Sequence, residues 1–141
     1  KSRIELEKIY KLDNMKTLIW IVRIVAAAIL LQTLYFKFTG AEESVYIFST
    51  LGMEPYGRIG SGIGELIAAV LILVPRTTLI GAIMGSGVMI GALFSHLFVL
   101  GIEVQNDGGV LFTLAIITFL CCMFLIFQNR NGIPDLLKFK F

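Results

Sequence analysis

Glu65 and His96 are the side chains of this chain best suited to moving protons, and both fall inside apolar runs. A carboxylate and an imidazole that share a site can act together as proton donor and acceptor. Glu65 follows Arg58 by two helical turns, which places it roughly 9 Å inside the end of its run at 1.5 Å per residue. A lone carboxylate at that depth in lipid is costly, so it must face other helices, hold a partner or carry a proton. His96 comes a turn or so before Gly101 at the end of another run and reaches a similar depth from the same face. Lys37 closes a third run, so Lys37, Arg58, Glu65 and His96 converge at one depth from three segments. His96 and Glu65 are therefore the candidate catalytic pair, able to meet, and Lys37, Arg58 and Ser61 are candidate ligand-binding residues. Asp107, Asn106 and Thr113, around the start of the last run, would complete a polar rim. The competing reading of Glu65 and His96 is a buried pair that only fixes helix register. One histidine with one or two carboxylates is a poor donor set for a metal, and no metal site is expected.

The elements that must position these residues are apolar helices. With 57% hydrophobic residues, 16% charged residues and a mean hydropathy of +0.86, the chain cannot hide its apolar surface in one soluble core. At about 20 residues per crossing, four crossings use most of its 141 residues and leave no room for a nucleotide-binding fold. The expected fold is all-α, an integral membrane four-helix bundle, with spans at about 17–36, 59–74, 77–100 and 109–127. Trp20 suits an interfacial anchor, and Pro75 and Arg76 stop the second span. Residues 1–16 would form an N-terminal segment, 17–128 the bundle and 129–141 a tail. The apolar run after Lys16 is too long for a cleaved signal peptide and contains Arg23.

Lys1, Arg3, Lys8, Lys11, Lys16, Arg76, Arg130, Lys138 and Lys140 fall on one side of the spans, whereas the opposite side has Lys37 and Arg58 but also Glu42, Glu43, Glu54, Glu103 and Asp107. This bias predicts both termini in the cytoplasm. A net charge of +2 without a basic stripe argues against nucleic-acid binding. Residues 57–64 are glycine-rich, but no strand precedes them and no Lys-Ser/Thr follows, so close helix approach explains them better than a phosphate loop. Adjacent Cys121 and Cys122 suit apolar packing. In the third span Gly81, Gly85 and Ala92 predict one helix seam, and Gly87, Gly91 and Ser95 a second. In the first span Gln32 points away from the Lys37 face, and Arg23 is expected to snorkel or to hold an anionic lipid headgroup. Residues 41–51 suit a short surface helix or a plain loop, and residues 2–13 a weakly amphipathic, solvated helix.

In order and topology the chain resembles the DoxX and DoxX-like family of small four-helix bacterial membrane proteins, over about Ile21 to Phe127. The resemblance is carried by Arg23, Lys37-Phe38 with Gly40, Glu65 in the glycine-rich start of the second span, Leu73-Val74-Pro75-Arg76 and His96. Leu34 departs from the small residue that family members often carry three positions before the lysine. The resemblance implies a bundle in the bacterial cytoplasmic (inner) membrane, some of whose relatives are subunits of thiosulfate:quinone oxidoreductases. Quinone is thus an implied ligand, and electron transfer would need a membrane or periplasmic partner, since no haem or iron–sulfur pattern is present. The alternatives are a non-enzymatic scaffold or accessory subunit of a larger complex, and a small-solute or proton carrier working as a homo-oligomer.

Overall fold

Ser2 and Glu5 open the first helix reciprocally in the computed structural model, which describes residues 2–137. The Ser2 hydroxyl accepts the Glu5 N–H and the Glu5 carboxylate accepts the Ser2 N–H, each at 3.3 Å. Neither glycine nor proline interrupts the chain until Gly40, so one helix, α1, runs from Arg3 to Thr39 and ends where Gly40 adopts φ 69°. The N-terminal segment and the first span are thus a single rod. At 1.5 Å per residue it is about 56 Å long, more than the roughly 30 Å of a hydrocarbon core. Residues 2–18 of the rod are exposed.

Residues 41–51 contain a helix, α2 (Glu42–Thr50), which buries Ser44 and Phe48. Pro55 precedes α3 (Tyr56–Leu73), and Pro75 follows it. α4 (Thr78–Ser95) continues as a turn of π-helix over His96–Leu100 and stops at Gly101, whose φ is 82°. Gly108 and Gly109, both at positive φ, lead into α5 (Val110–Gln128). A 3-10 turn (Arg130–Gly132) and α6 (Ile133–Leu137) complete the described chain. Lys1, Lys138 and Lys140, used above to orient the protein, lie outside the described residues. The helices α1, α3, α4 with its π turn and α5 are each long and apolar enough to cross a membrane.

These four form a ring in which α1 and α4 each pack against both α3 and α5, so α1 and α4 stand on a diagonal. The end where α1 stops and α3 begins is called distal here. Away from it the bundle is tightly closed around Ala26, Ala27, Ala68, Ala69, Ile72 and Leu125. A Cβ at Gly81 would lie 2.6 Å from the Ile72 backbone nitrogen and 2.9 Å from the Ala68 oxygen, so α3 and α4 touch backbone to backbone. A Cβ at Gly85 would lie 2.9 Å from the Cys122 sulfur, so there a side chain of α5 fills the space beside the glycine.

Arg23 neither snorkels nor faces lipid. It is buried, donating from Nε to the Ile72 carbonyl (2.9 Å) and from Nη2 to the Leu73 carbonyl (2.8 Å), with its guanidinium 3.9 Å from the centre of the Trp20 ring. Those carbonyls belong to the last turn of α3, where no further helical N–H can reach them. The Thr78 hydroxyl is a second donor to the Ile72 oxygen, at 3.0 Å.

Candidate functional site

Toward the distal end the same helices part. They enclose a cavity of about 610 Å³, lined by residues of all four and roofed by Ser44, Ile47 and Phe48 of α2. Most of its wall is apolar, including Ile29, Leu30, Met89, Leu111 and Leu114. Its volume falls within the range of small-molecule sites, roughly 300–1,000 Å³.

The polar part of the wall begins with an ion pair. Lys37, in the last turn of α1, places Nζ 2.6 Å from Oε1 of Glu65 on α3, and both side chains are largely withdrawn from solvent. The second carboxylate oxygen, Oε2, accepts the Thr33 hydroxyl at 2.9 Å. Thr33 lies one turn before Lys37 on the same face of α1, and that spacing is the signal by which it could have been found. The Lys37 ammonium also sits 5.7 Å from the Phe48 ring centre, within reach of the negative face of the ring.

His96 is 5% exposed and lines the cavity from α4. Its Nδ1 lies 2.9 Å from the Gly101 carbonyl oxygen, and its ring meets Phe112 edge-on at 5.5 Å between centres. A carbonyl can only accept, so Nδ1 carries the proton of that hydrogen bond. Glu65 and His96 share the cavity, but they are not hydrogen-bonded to each other. The buried pair is Lys37 with Glu65.

Of the other expected residues, Ser61 and Asp107 line the cavity, whereas Arg58 and Thr113 do not. Ser61 donates to the Arg58 carbonyl at 3.2 Å. Arg58 holds Glu54 through Nε (2.8 and 3.0 Å to its two oxygens) and donates from Nη1 to the Lys37 carbonyl, closing off the end of α1. Asp107 collects the backbone N–H groups of Val104 (3.0 Å), Gly109 (2.8 Å) and Leu111 (3.2 Å). Burial pushes its carboxyl up, but these three donors, aided by the neighbouring His96, outweigh that and hold it below the ordinary carboxylate value. Thr113 is exposed and donates to the Gly109 carbonyl. Asn106 is also exposed and takes a φ of 61°.

Two expectations on helix faces are corrected. Gln32, although exposed, is among the residues that line the cavity. Gly87, Gly91 and Ser95 also line it and do not form a second seam; a Cβ at either glycine would meet nothing within 4 Å. Among the described residues, no three His, Cys, Asp or Glu side chains gather as a metal-binding group.

No curated protein and no solved structure matches the chain. The model of the DoxX-like family matches residues 21–124, which include α3 and α4 whole and most of the apolar parts of α1 and α5. The match takes in Lys37, Glu65 and His96, and with most of its length so covered this membrane protein belongs to the DoxX-like family.

Proposed function

We propose that the distal cavity binds a quinone or a similar amphiphile and that the protein is a membrane subunit of a redox system, drawing electrons from a partner protein. The observation that carries this reading is an amine, a carboxylate and an imidazole, from α1, α3 and the end of α4, lining one mostly apolar cavity. A quinone fits such a site because its tail needs apolar surface and its ring oxygens need hydrogen-bonding groups. When bound, the quinone supplies the two-electron chemistry. The chain's own part is to orient the ring with Lys37, to keep Lys37 in place through Glu65 and Thr33, and to exchange a proton at His96 Nε2. Arg58 and Thr113 act from outside the cavity, steadying the ends of α1 and α5. Basic Lys8, Lys11, Lys16, Arg76 and Arg130 lie toward one end of the bundle and acidic Glu42, Glu43, Glu54, Glu103 and Asp107 at the other. This favours insertion in a bacterial inner membrane with both termini cytoplasmic and the cavity in the outer half. Gently purified protein is expected to retain quinone detectable by mass spectrometry, and added short-tailed quinone to raise its thermal stability. Absence of both the retained quinone and the shift would end this reading.

A scaffold role is the second reading, favoured by the first turns of α1. They project beyond the bundle with Ile4, Leu6, Ile9 and Tyr10 exposed. A partner that co-purifies with the full chain and is lost on deleting residues 2–13 would support it.

A further inference from the structure

Hydrogen-bonding groups on the cavity wall differ in what they still have to offer. Each Glu65 oxygen already accepts one hydrogen bond, from Lys37 or from Thr33. The Asp107 oxygens serve backbone N–H groups. Lys37 gives one of its three N–H donors to Glu65 and keeps the others. At His96 the Nδ1 proton is held by the Gly101 carbonyl, so in the neutral ring Nε2 presents a lone pair. Nε2 has no hydrogen-bond partner among the described residues, and no polar side-chain atom there is both fully buried and unpartnered, so it retains accessible surface. A ligand head that lies between α1 and the end of α4 meets a free donor from Lys37 and a free acceptor from His96, on the diagonal of the ring.

From this pattern we propose that the site prefers a hydroxyl-bearing ring, the reduced quinol, over the oxidised quinone of the same skeleton. The inference rests on the amphiphile-binding reading above and goes further by naming the form that is held. A quinone carries only acceptors at its ring oxygens. One carbonyl pairs with Lys37, but a carbonyl turned to Nε2 sets lone pair against lone pair and leaves the imidazole unsatisfied in an apolar enclosure. A quinol turns an O–H to Nε2 and still accepts from Lys37 through its other oxygen. Selectivity then follows from the tautomer that Gly101 imposes.

The test compares a short-tailed benzoquinone with its quinol, titrated anaerobically into purified protein at pH 8, above the ordinary imidazole range, with affinity read by calorimetry and by thermal shift. The quinol is expected to bind about 10-fold more tightly, the worth of one hydrogen bond. In His96→Leu the two affinities should converge, the quinol losing more than the quinone. Equal affinities in the unaltered protein would overturn the preference while leaving the amphiphile reading intact. Binding of neither form would overturn both. Because the central comparison uses the unaltered chain, it stands even if the variant folds poorly.

Discussion

His96 and Gly101 bind each other twice. The Gly101 N–H donates to the His96 carbonyl at 2.7 Å, closing the π turn, and the His96 imidazole donates from Nδ1 to the Gly101 carbonyl at 2.9 Å. One glycine thereby fixes the end of α4 and the tautomer of the only histidine in the chain. Gly101 does this at φ 82° and ψ 173°, a conformation nearly closed to residues with a Cβ. Gly101→Ala should therefore lower stability by about 1–3 kcal/mol in thermal unfolding in detergent. Wild-type stability for the alanine variant would contradict the backbone described here.

Lys37 and Glu65 form a pair whose members are costly to leave alone. Removing one partner strands a charge in an apolar site, so Lys37→Met and Glu65→Leu should each lose about 3–5 kcal/mol. The double variant should recover most of the loss, because the cost arises from the uncompensated charge. Additive losses in the double variant would show that the pair is not coupled as drawn.

Asp107 links the last loop to acid sensitivity. Its folded-state carboxyl lies below the ordinary value, so its stabilisation is complete above the unfolded-state value and disappears as pH falls through the folded one. Asp107→Asn keeps an oxygen for two of the three N–H groups and should cost about 1 kcal/mol at pH 7, as for a weakened helix cap. The gap between the two proteins should narrow as pH falls below about 4. A gap that stays constant to pH 3 would remove the carboxylate from this role.

The bundle was legible because long apolar runs broken by glycine, proline and charge leave few alternatives in a bilayer. Of the four residues expected at one depth, Lys37, Glu65 and His96 line one cavity and Arg58 does not. Rotation about the helix axes was not legible. Sequence spacing did not show that Glu65 would turn to Lys37 and Thr33 instead of His96, because groups at one depth compete and the winner depends on helix separation. Arg23 could have been anticipated, since Pro75 leaves the last carbonyls of α3 without helical donors, yet nothing local to Arg23 marks it as their partner. Gly87 and Gly91 mislead for a related reason: missing side chains suit a helix contact and a cavity wall equally well.

That ambiguity yields a paired prediction for the glycines of α4. At Gly81 a methyl group meets the backbone of α3, which has no room to yield, so Gly81→Ala should cost about 1–3 kcal/mol through overpacking. At Gly91 the same methyl meets open space, so Gly91→Leu should leave stability unchanged or raise it by up to about 1 kcal/mol through better helix propensity. The leucine would nevertheless occupy part of the cavity wall and should weaken quinone-induced thermal stabilisation. Unfolding curves with and without ligand separate the two effects. A Gly91→Leu protein that folds normally and responds to quinone as the unaltered chain does would mean that the ligand sits elsewhere.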